Sequence, residues 1–383
     1  MQGVEHISMF HLKKRLTDYI IFIGKRLPID RPGQNVLISI STFNPQRRLL
    51  QVISHFLYCG YRCCIDISFL RYLKLDKYGG EATLFTEVYP ARKKNTSYSV
   101  VISDDKKKLE QFDSAVMKIH LNFHMFEHLN SVTSDDLFYP IVSHKKYNNS
   151  FIESDVLSKS ITKKRRIGAI FVGNNDFGYN KSITKELFGI NTRDEVFNCI
   201  CTNVSDVYIP RSLNEFVSDI EYGLLKNKIV LLITTNKFEI PSDKYLDILL
   251  ESNFYIHMSG HIQPYCHNQI ESMMSGCIPI TQFARFFIPP FQHEENSLLY
   301  NTLDELIELL KKIASGHYTN KIEFMRENII HYYKKYYSLV SFKKKISHLI
   351  DSKVDYTNYY IALGNDHFLS KTSQEIKRAI KND

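Results

Sequence analysis

The residues with most chemistry to offer lie between His257 and Ile280. Three histidines, His257, His261 and His267, share this segment with Gln263, Cys266, Asn268 and one acid, Glu271. The pattern reads as a polar loop entering a helix. That helix stops at Gly276 and restarts as the short strand Cys277-Ile278-Pro279-Ile280, since glycine ends helices and permits close approach. A polar loop at a helix N-terminus presents unpaired N–H groups, so its natural ligand is an anion. Two cations are candidates to assist: first Lys181, at the end of the loop that begins Gly173-Asn174, then Arg285. The three histidines invite a metal reading. However, strand gives way to helix between them and no His-Glu-x-x-His pattern is present, so no metal site is expected.

These residues need elements to hold them. Asn35 to Ser41 reads as a buried strand, and Pro45 opens a helix through Tyr58 with Leu49, Leu50, Ile53, Phe56 and Leu57 inward. Tyr61 to Ile67 is the next strand, completing a crossover unit that lacks the dinucleotide glycine fingerprint. Tyr98 to Ile102 is a strand ending at Asp104-Asp105, and Ala115 to His120 another ending at His120. Residues 143–166 are polar and lack periodicity, which marks a domain boundary. Ile167 to Val172 then starts a second series. A short helix from Thr192 to Asn198 leads into a strand containing Cys199 and Cys201. A helix follows over Ser212 to Leu225, then a strand over Lys228 to Ile233. Ser242 N-caps a helix to Glu251, and Phe254 to His257 is a strand. Leu303 to Ile313 is an amphipathic helix with the acidic first turn Asp304-Glu305.

Such alternation predicts an α/β protein of two facing Rossmann-like domains. The expected division is residues 1–160, residues 161–355, and a tail over 356–383. Within the tail, Ser370 to Asn382 is expected to form a helix crossing back to the first domain.

At 383 residues with 44% apolar content, the chain is long enough for two cores. The formal charge of +8 suits anionic partners, but the basic runs are short and scattered. No nucleic-acid motif accompanies them, so no nucleic-acid partner is expected. Seven cysteines, an odd number without a framework, suggest reduced thiols and a cytoplasmic setting. The first residues do not read as a signal peptide, and there is no apolar run of about eighteen residues to span a membrane. Peripheral contact with a membrane surface stays open. Tyr332-Tyr333 and Tyr336-Tyr337 with interleaved lysines form one amphipathic face, for which packing is preferred to lipid contact. Phe283, Phe286, Phe287 and Phe291 around Pro289-Pro290 are read as core at a domain edge, with a base-stacking wall as the alternative.

The segment from Tyr255 to Ile280, and on to Leu310, resembles the C-terminal half of GT-B type nucleotide-sugar glycosyltransferases. The residues that carry the resemblance are Glu271, Ser275-Gly276, Ile278-Pro279-Ile280 and the later loop Asn296-Ser297-Leu298-Leu299. The layout agrees over about 167–313. Many retaining members carry two acids eight residues apart; Glu271 fits the second and Gln263 stands at the position of the first, so the chain diverges from the two-acid families. The resemblance implies transfer of a sugar from a nucleotide-activated donor to a saccharide or glycolipid acceptor, with no cofactor beyond that donor. It assigns Glu271 to the ribose hydroxyls and places a basic residue near Lys181. Gly173, Asn174, Gln263, Asn268, Arg285 and Asn296 complete the donor set. His261 is the first choice to touch sugar or phosphate, His267 the second. If the reaction inverts, a base near the acceptor is needed, and Asp104, Asp105 and His120 are the candidates. A nucleotide-sugar epimerase and a non-catalytic sugar- or phosphate-binding protein are the competing readings.

Overall fold

A computed structural model describes residues 9–24, 35–40, 47–66, 88–91, 98–112, 116–123, 125–141, 150–174, 183–233, 239–260 and 263–362. By proximity the chain divides into two compact units. The first is Met1–Phe123, Thr133–Phe138 and Phe342–Gly364, and the second His124–Val132, Tyr139–Ser341 and Asn365–Asp383.

The first unit is built on a wholly parallel sheet. Its strands are β1 (Asn35–Ser39), β2 (Arg62–Asp66), β3 (Val88–Pro90), β4 (Val100–Ser103), β5 (Met117–Asn122) and β6 (Leu137–Phe138), joined by the last strand, β13 (Tyr356–Tyr360). Their order is β3-β2-β1-β4-β5-β13-β6. Every residue of β1 and β4 is buried, as parallel strands covered on both faces require. Helices α1 (Met9–Gly24), α2 (Arg47–Tyr58) and the short α3 (Lys106–Leu109) belong to this unit.

Strand β13 departs from the tail expected over 356–383. Residues 356–360 pair in parallel with both β5 and β6. The alternation Tyr356, Asn358, Tyr360 is too polar to read as a buried strand. Its Tyr359 hydroxyl lies 2.8 Å from His55 Nδ1 on α2, which anchors it. The helix expected over Ser370 to Asn382 lies outside the described residues.

The second unit repeats the design. Strands β7 (Ile167–Gly173), β8 (Val207–Tyr208), β9 (Ile229–Ile233), β10 (Ser252–Ile256), β11 (Ile278–Thr281) and β12 (Leu298–Leu299) run in parallel in the order β12-β11-β10-β7-β9-β8. The connecting helices are α4 (Ser150–Thr162), α5 (Ile183–Phe188), α6 (Arg193–Asn203), α7 (Leu213–Glu221), α8 (Ser242–Leu249), α9 (His267–Met274), α10 (Leu303–Ala314) and α11 (Ile322–Tyr336); α12 (Leu339–Asp351) starts here and carries the chain back to the first unit. Two parallel sheets, each flanked by helices, meet the expectation of a doubled Rossmann-like architecture.

Three local expectations change. The strand containing Cys199 and Cys201 is part of α6, because Thr192 and Glu195 form a capping box that starts one continuous helix with Val196 and Ile200 inward. The polar boundary over 143–166 contains α4, whose Glu153 is buried and accepts hydrogen bonds from the Tyr333 hydroxyl and the Leu339 N–H. Ser242 is the first helical residue of α8, and Pro241 takes the cap. The aromatic residues meet the packing reading: Phe283, Phe286, Phe287, Phe291, Tyr332, Tyr333 and Tyr337 are all buried. The Phe287 and Phe291 rings stack at 4.3 Å.

Candidate functional site

In the second sheet the chain leaves β7 for β8 and β9 on one side, then crosses to β10 on the other. In open parallel sheets such a reversal opens a crevice at the carboxyl ends of the strands, where ligands bind. Here the reversal falls between β7 and β10. Strand β7 ends at Gly173 and continues to Asn174. Beyond Ile256, β10 runs through His257 to Gly260 and, after 263–266, into α9.

Long side chains stitch these ends together. Asn268 Nδ2 donates to the Val172 carbonyl at 2.6 Å, and the Tyr255 hydroxyl donates to the same oxygen at 2.9 Å. Arg193, the first residue of α6, is buried. Its Nε and Nη2 donate to the Ser259 carbonyl at 3.2 and 2.8 Å, while Nη1 donates to the Asn174 carbonyl. The guanidinium also lies over the Phe171 ring, 5.3 Å from its centre. A positive charge is thereby fixed between the loops that follow β7 and β10.

The loop before α9 is tight. The Gly260 N–H donates to the Gln263 carbonyl at 2.9 Å. A Cβ at 260 would sit 2.5 Å from the Tyr265 carbonyl oxygen, so only glycine fits without movement. Gln269 braces the helix start: its Oε1 accepts the Cys266 N–H at 3.2 Å and its Nε2 donates to the Pro264 carbonyl at 2.8 Å. In α9 every residue from Asn268 to Met274 is buried. Only His267, at the first helical position, is part-exposed.

Glu271 is fully buried one turn below His267. Both of its carboxylate oxygens lie 3.1 Å from His267 Nδ1. A carboxylate holding one ring nitrogen fixes the orientation of the imidazole and puts the proton of the neutral ring on Nδ1. Tyr245 lines the other side: burial first, and then the Glu271 charge, raise its hydroxyl well above the ordinary tyrosine range. The arrangement sets an oriented imidazole beside the N–H groups of a helix start. Such a pair can bind an anion and, with the ring protonated, donate to it.

His257 has a different place. It is fully buried among Tyr255, Phe283, Phe287 and Phe291, with ring centres about 6 Å away. Burial lowers its pKa to about 3. Nε2 lies 3.4 Å from Ser272 Oγ, whose own proton goes to the Gln269 carbonyl, and Nδ1 has no hydrogen-bond partner. It is a neutral core histidine. Among the described residues, no group of three or more His, Cys, Asp or Glu side chains is placed to hold a metal ion.

Gly173, Asn174, Gln263, His267, Asn268 and Glu271 therefore converge on the ends of β7 and β10 and on α9. Lys181 and His261 lie outside the described residues. Arg285 donates to the Phe188 carbonyl at 2.9 Å and lies over the Phe286 ring, clamping the end of α5. Asn296 closes a local turn, its Oδ1 accepting the Gln292 N–H at 2.9 Å. In the first unit, Asp104 and Asp105 follow β4, and Ser103 is in register with His120 of β5. Asp105 caps α3 by accepting the Lys107 N–H. His120 stands two residues before the end of its strand, with Nδ1 3.4 Å from Asn358 Oδ1. The sequence reading missed Arg193 and Gln269. The capping box around Thr192 was the available signal for the first, because it puts Arg193 at a helix start.

No family model matches the chain, and no curated protein matches it in sequence. Among solved structures, it is similar to Anabaena Alr3699/HepE in complex with UDP-glucose, with TM-score 0.40, 10% identity, and coverage of 83% of this chain and 99% of that one. It is also similar to a glycosyltransferase from Rickettsia africae, with TM-score 0.43, 10% identity and coverage of 84% and 99%. A third is sucrose-phosphate synthase from Thermosynechococcus elongatus, with TM-score 0.44 and the same identity and coverage. Likeness at this level is loose, and the fold described above rests on the strand order and register of the chain itself.

Proposed function

We propose that the second unit binds a nucleoside diphosphate sugar and that the protein is a GT-B type glycosyltransferase acting on a saccharide or glycolipid acceptor. The observation that carries this reading is the Glu271–His267 pair at the start of α9, set at the β7–β10 reversal. Transfer breaks the bond between the anomeric carbon and a phosphate oxygen and forms one to an acceptor hydroxyl oxygen, which loses its proton. Negative charge grows on the departing diphosphate. The first N–H groups of α9, His267 and the Arg193 charge are the groups proposed to stabilise it. Glu271 acts in this reading as a positioning residue through His267. Direct bonding to ribose hydroxyls would require His267 to turn aside. Lys181 is retained as a second cation, and Asp104, Asp105 and His120 as the acceptor-side proposal.

Thermal unfolding with UDP, GDP, ADP and their sugar conjugates tests the reading. A ligand at about a hundred times its Kd should raise Tm by about 5–10 °C in a unit of this size. His267→Ala and Glu271→Gln should lose that rise while keeping the ligand-free Tm within a few degrees. If no nucleotide moves Tm, the proposal fails. Slow hydrolysis of the matching donor without acceptor would favour a transferase over a binding protein, and reversible isomer formation would indicate an epimerase.

A further inference from the structure

Three residues of the first unit form a hydrogen-bonded row across neighbouring strands. His120 of β5 is in register with Asn358 of β13. Asp136 stands one position before the Leu137–Tyr359 pair that joins β6 to β13. Side chains in register on parallel neighbours share a face of the sheet, so these three meet. Asn358 Nδ2 donates to Asp136 Oδ1 at 3.0 Å, and the Asn358 N–H donates to the same oxygen at 3.2 Å. The other carboxylate oxygen accepts the Thr133 N–H and the Thr133 hydroxyl, both at 2.9 Å. Lys345 of α12 donates to the Asp136 carbonyl. Asp136 is buried, and these contacts fix it.

An ionised carboxylate only accepts, so the Asn358 amide turns its nitrogen to Asp136 and its oxygen the other way. That oxygen lies 3.4 Å from His120 Nδ1. It too can only accept, so the neutral imidazole carries its proton on Nδ1 and its lone pair on Nε2. The orienting group is uncharged. It fixes the ring without the pull towards protonation that a carboxylate in contact would exert. One face of the ring lies along Tyr356, with centres 6.5 Å apart and planes at 20°. His55 and His257 are buried core histidines, whereas His120, at the end of its row, is part-exposed. Asp105, another acceptor-side candidate, uses its carboxylate to cap α3.

We propose that His120 is the catalytic base of the first unit and that Asn358 and Asp136 are its positioning residues. The inference rests on the glycosyl-transfer reading. The acceptor oxygen bonds to the anomeric carbon as its proton passes to His120 Nε2, and the electron pair of the broken bond leaves with the diphosphate. A single displacement of this kind inverts the anomeric centre.

Two readouts test it. Long-range proton–nitrogen NMR on protein with isotope-labelled histidine reads the tautomer, with His120→Gln giving the assignment. The neutral His120 ring should carry its proton on Nδ1, and Asn358→Leu should return it to Nε2, the form a solvent-facing ring prefers. The parent's tautomer does not depend on how the leucine variant folds. The second readout is turnover of UDP-glucose, GDP-mannose and ADP-glucose with methanol as surrogate acceptor. His120→Ala should lower kcat by about 10²–10⁴-fold and regain part of it with added imidazole. Asn358→Leu should lower kcat by about a hundredfold with an unchanged KM for the donor. Both variants should keep their far-UV circular dichroism and any nucleotide-induced rise in Tm, and the methyl glycoside should be the inverted anomer. A proton on Nε2 in the parent, an undiminished kcat in either variant, a retained anomer, or donor binding without turnover overturns the inference. If no nucleotide raises Tm, the transfer reading fails first and this inference falls with it, whatever the tautomer.

Discussion

Replacing His257 with phenylalanine should make the second unit resist acid. The folded pKa is lowered from 6.5 to about 3 by complete burial among aromatic rings. Between those values the unfolded chain binds a proton that the folded chain refuses, so stability falls as pH falls. At pH 5.0 the gap from the unfolded value is about 1.5 units, or about 2 kcal/mol at 1.36 kcal/mol per unit. This figure depends little on the folded value, provided that stays well below pH 5. Phenylalanine keeps the ring contacts and removes both the titration and the unpaired Nδ1. It gives up only the 3.4 Å contact to Ser272, whose hydroxyl still bonds the Gln269 carbonyl. At pH 7.5 the variant should therefore lie within about 1 kcal/mol of the parent.

The assay is calorimetric unfolding of both proteins at pH 7.5 and 5.0. For a unit of this size 1 kcal/mol corresponds to about 2–4 °C, so the parent should lose about 4–8 °C more than His257→Phe on acidification. An equal loss in the two proteins would refute the argument. It would mean either that His257 is reached by water in the native state or that its proton binding is the same in both states.

Two other outcomes follow from single contacts. Gly260→Ala puts a methyl group 2.5 Å from the Tyr265 carbonyl oxygen and 2.9 Å from that of Gln263; the loop must shift, and any nucleotide-induced rise in Tm should shrink by more than half while far-UV circular dichroism stays unchanged. Tyr359→Phe removes the hydroxyl that meets His55 Nδ1 at 2.8 Å and accepts from Gln51 Nε2 at 3.4 Å; losing these buried hydrogen bonds should cost about 1–3 kcal/mol in denaturant unfolding, and an effect below about 0.5 kcal/mol would show that β13 does not depend on them.

Periodicity and capping made much of the fold legible. Strands such as Ile229–Ile233 are runs of large aliphatics bounded by polar residues, and their burial on both faces follows directly. Thr302 before Asp304-Glu305 announces α10, and its side chain does accept the Glu305 N–H. Where two local signals compete, the capping interaction outweighs the alternation: Cys199 and Cys201 alternate like a strand, yet the Thr192–Glu195 box commits the segment to helix. Strand β13 was not legible for a different reason. Its register is set by β5 and by a hydroxyl-to-imidazole contact 304 positions away in sequence, and nothing within the segment records either.

The candidate site divides along the same line. The turn from Gly260 into α9 and the stop at Gly276 are local events, and their residues stand out in the sequence. What fixes that helix in space is not local. Arg165 is buried; its Nη2 donates to Ser275 at the end of α9 and to Ser160 on α4, and its Nη1 to Leu249 and Ser252 at the entry to β10. Burial lowers its pKa to about 10, which still leaves it charged at neutral pH. Arg193 does the corresponding work at the opposite end, on the carbonyls of Asn174 and Ser259. Backbone carbonyls carry no residue identity, so a guanidinium that organises them leaves no pairing pattern for a sequence reader to find. The buried carboxylate Glu271 belongs with these two cations. Lone charges are expensive inside a protein; the two guanidinium groups are held by hydrogen bonds between elements, and Glu271 by His267 one turn away on its own helix. The backbone at Asn174 and at Ser259, where the chain leaves β7 and β10, is consequently tied down without any ligand. A ligand arriving there would meet donors already in position, and little of its binding energy would be spent on ordering the site.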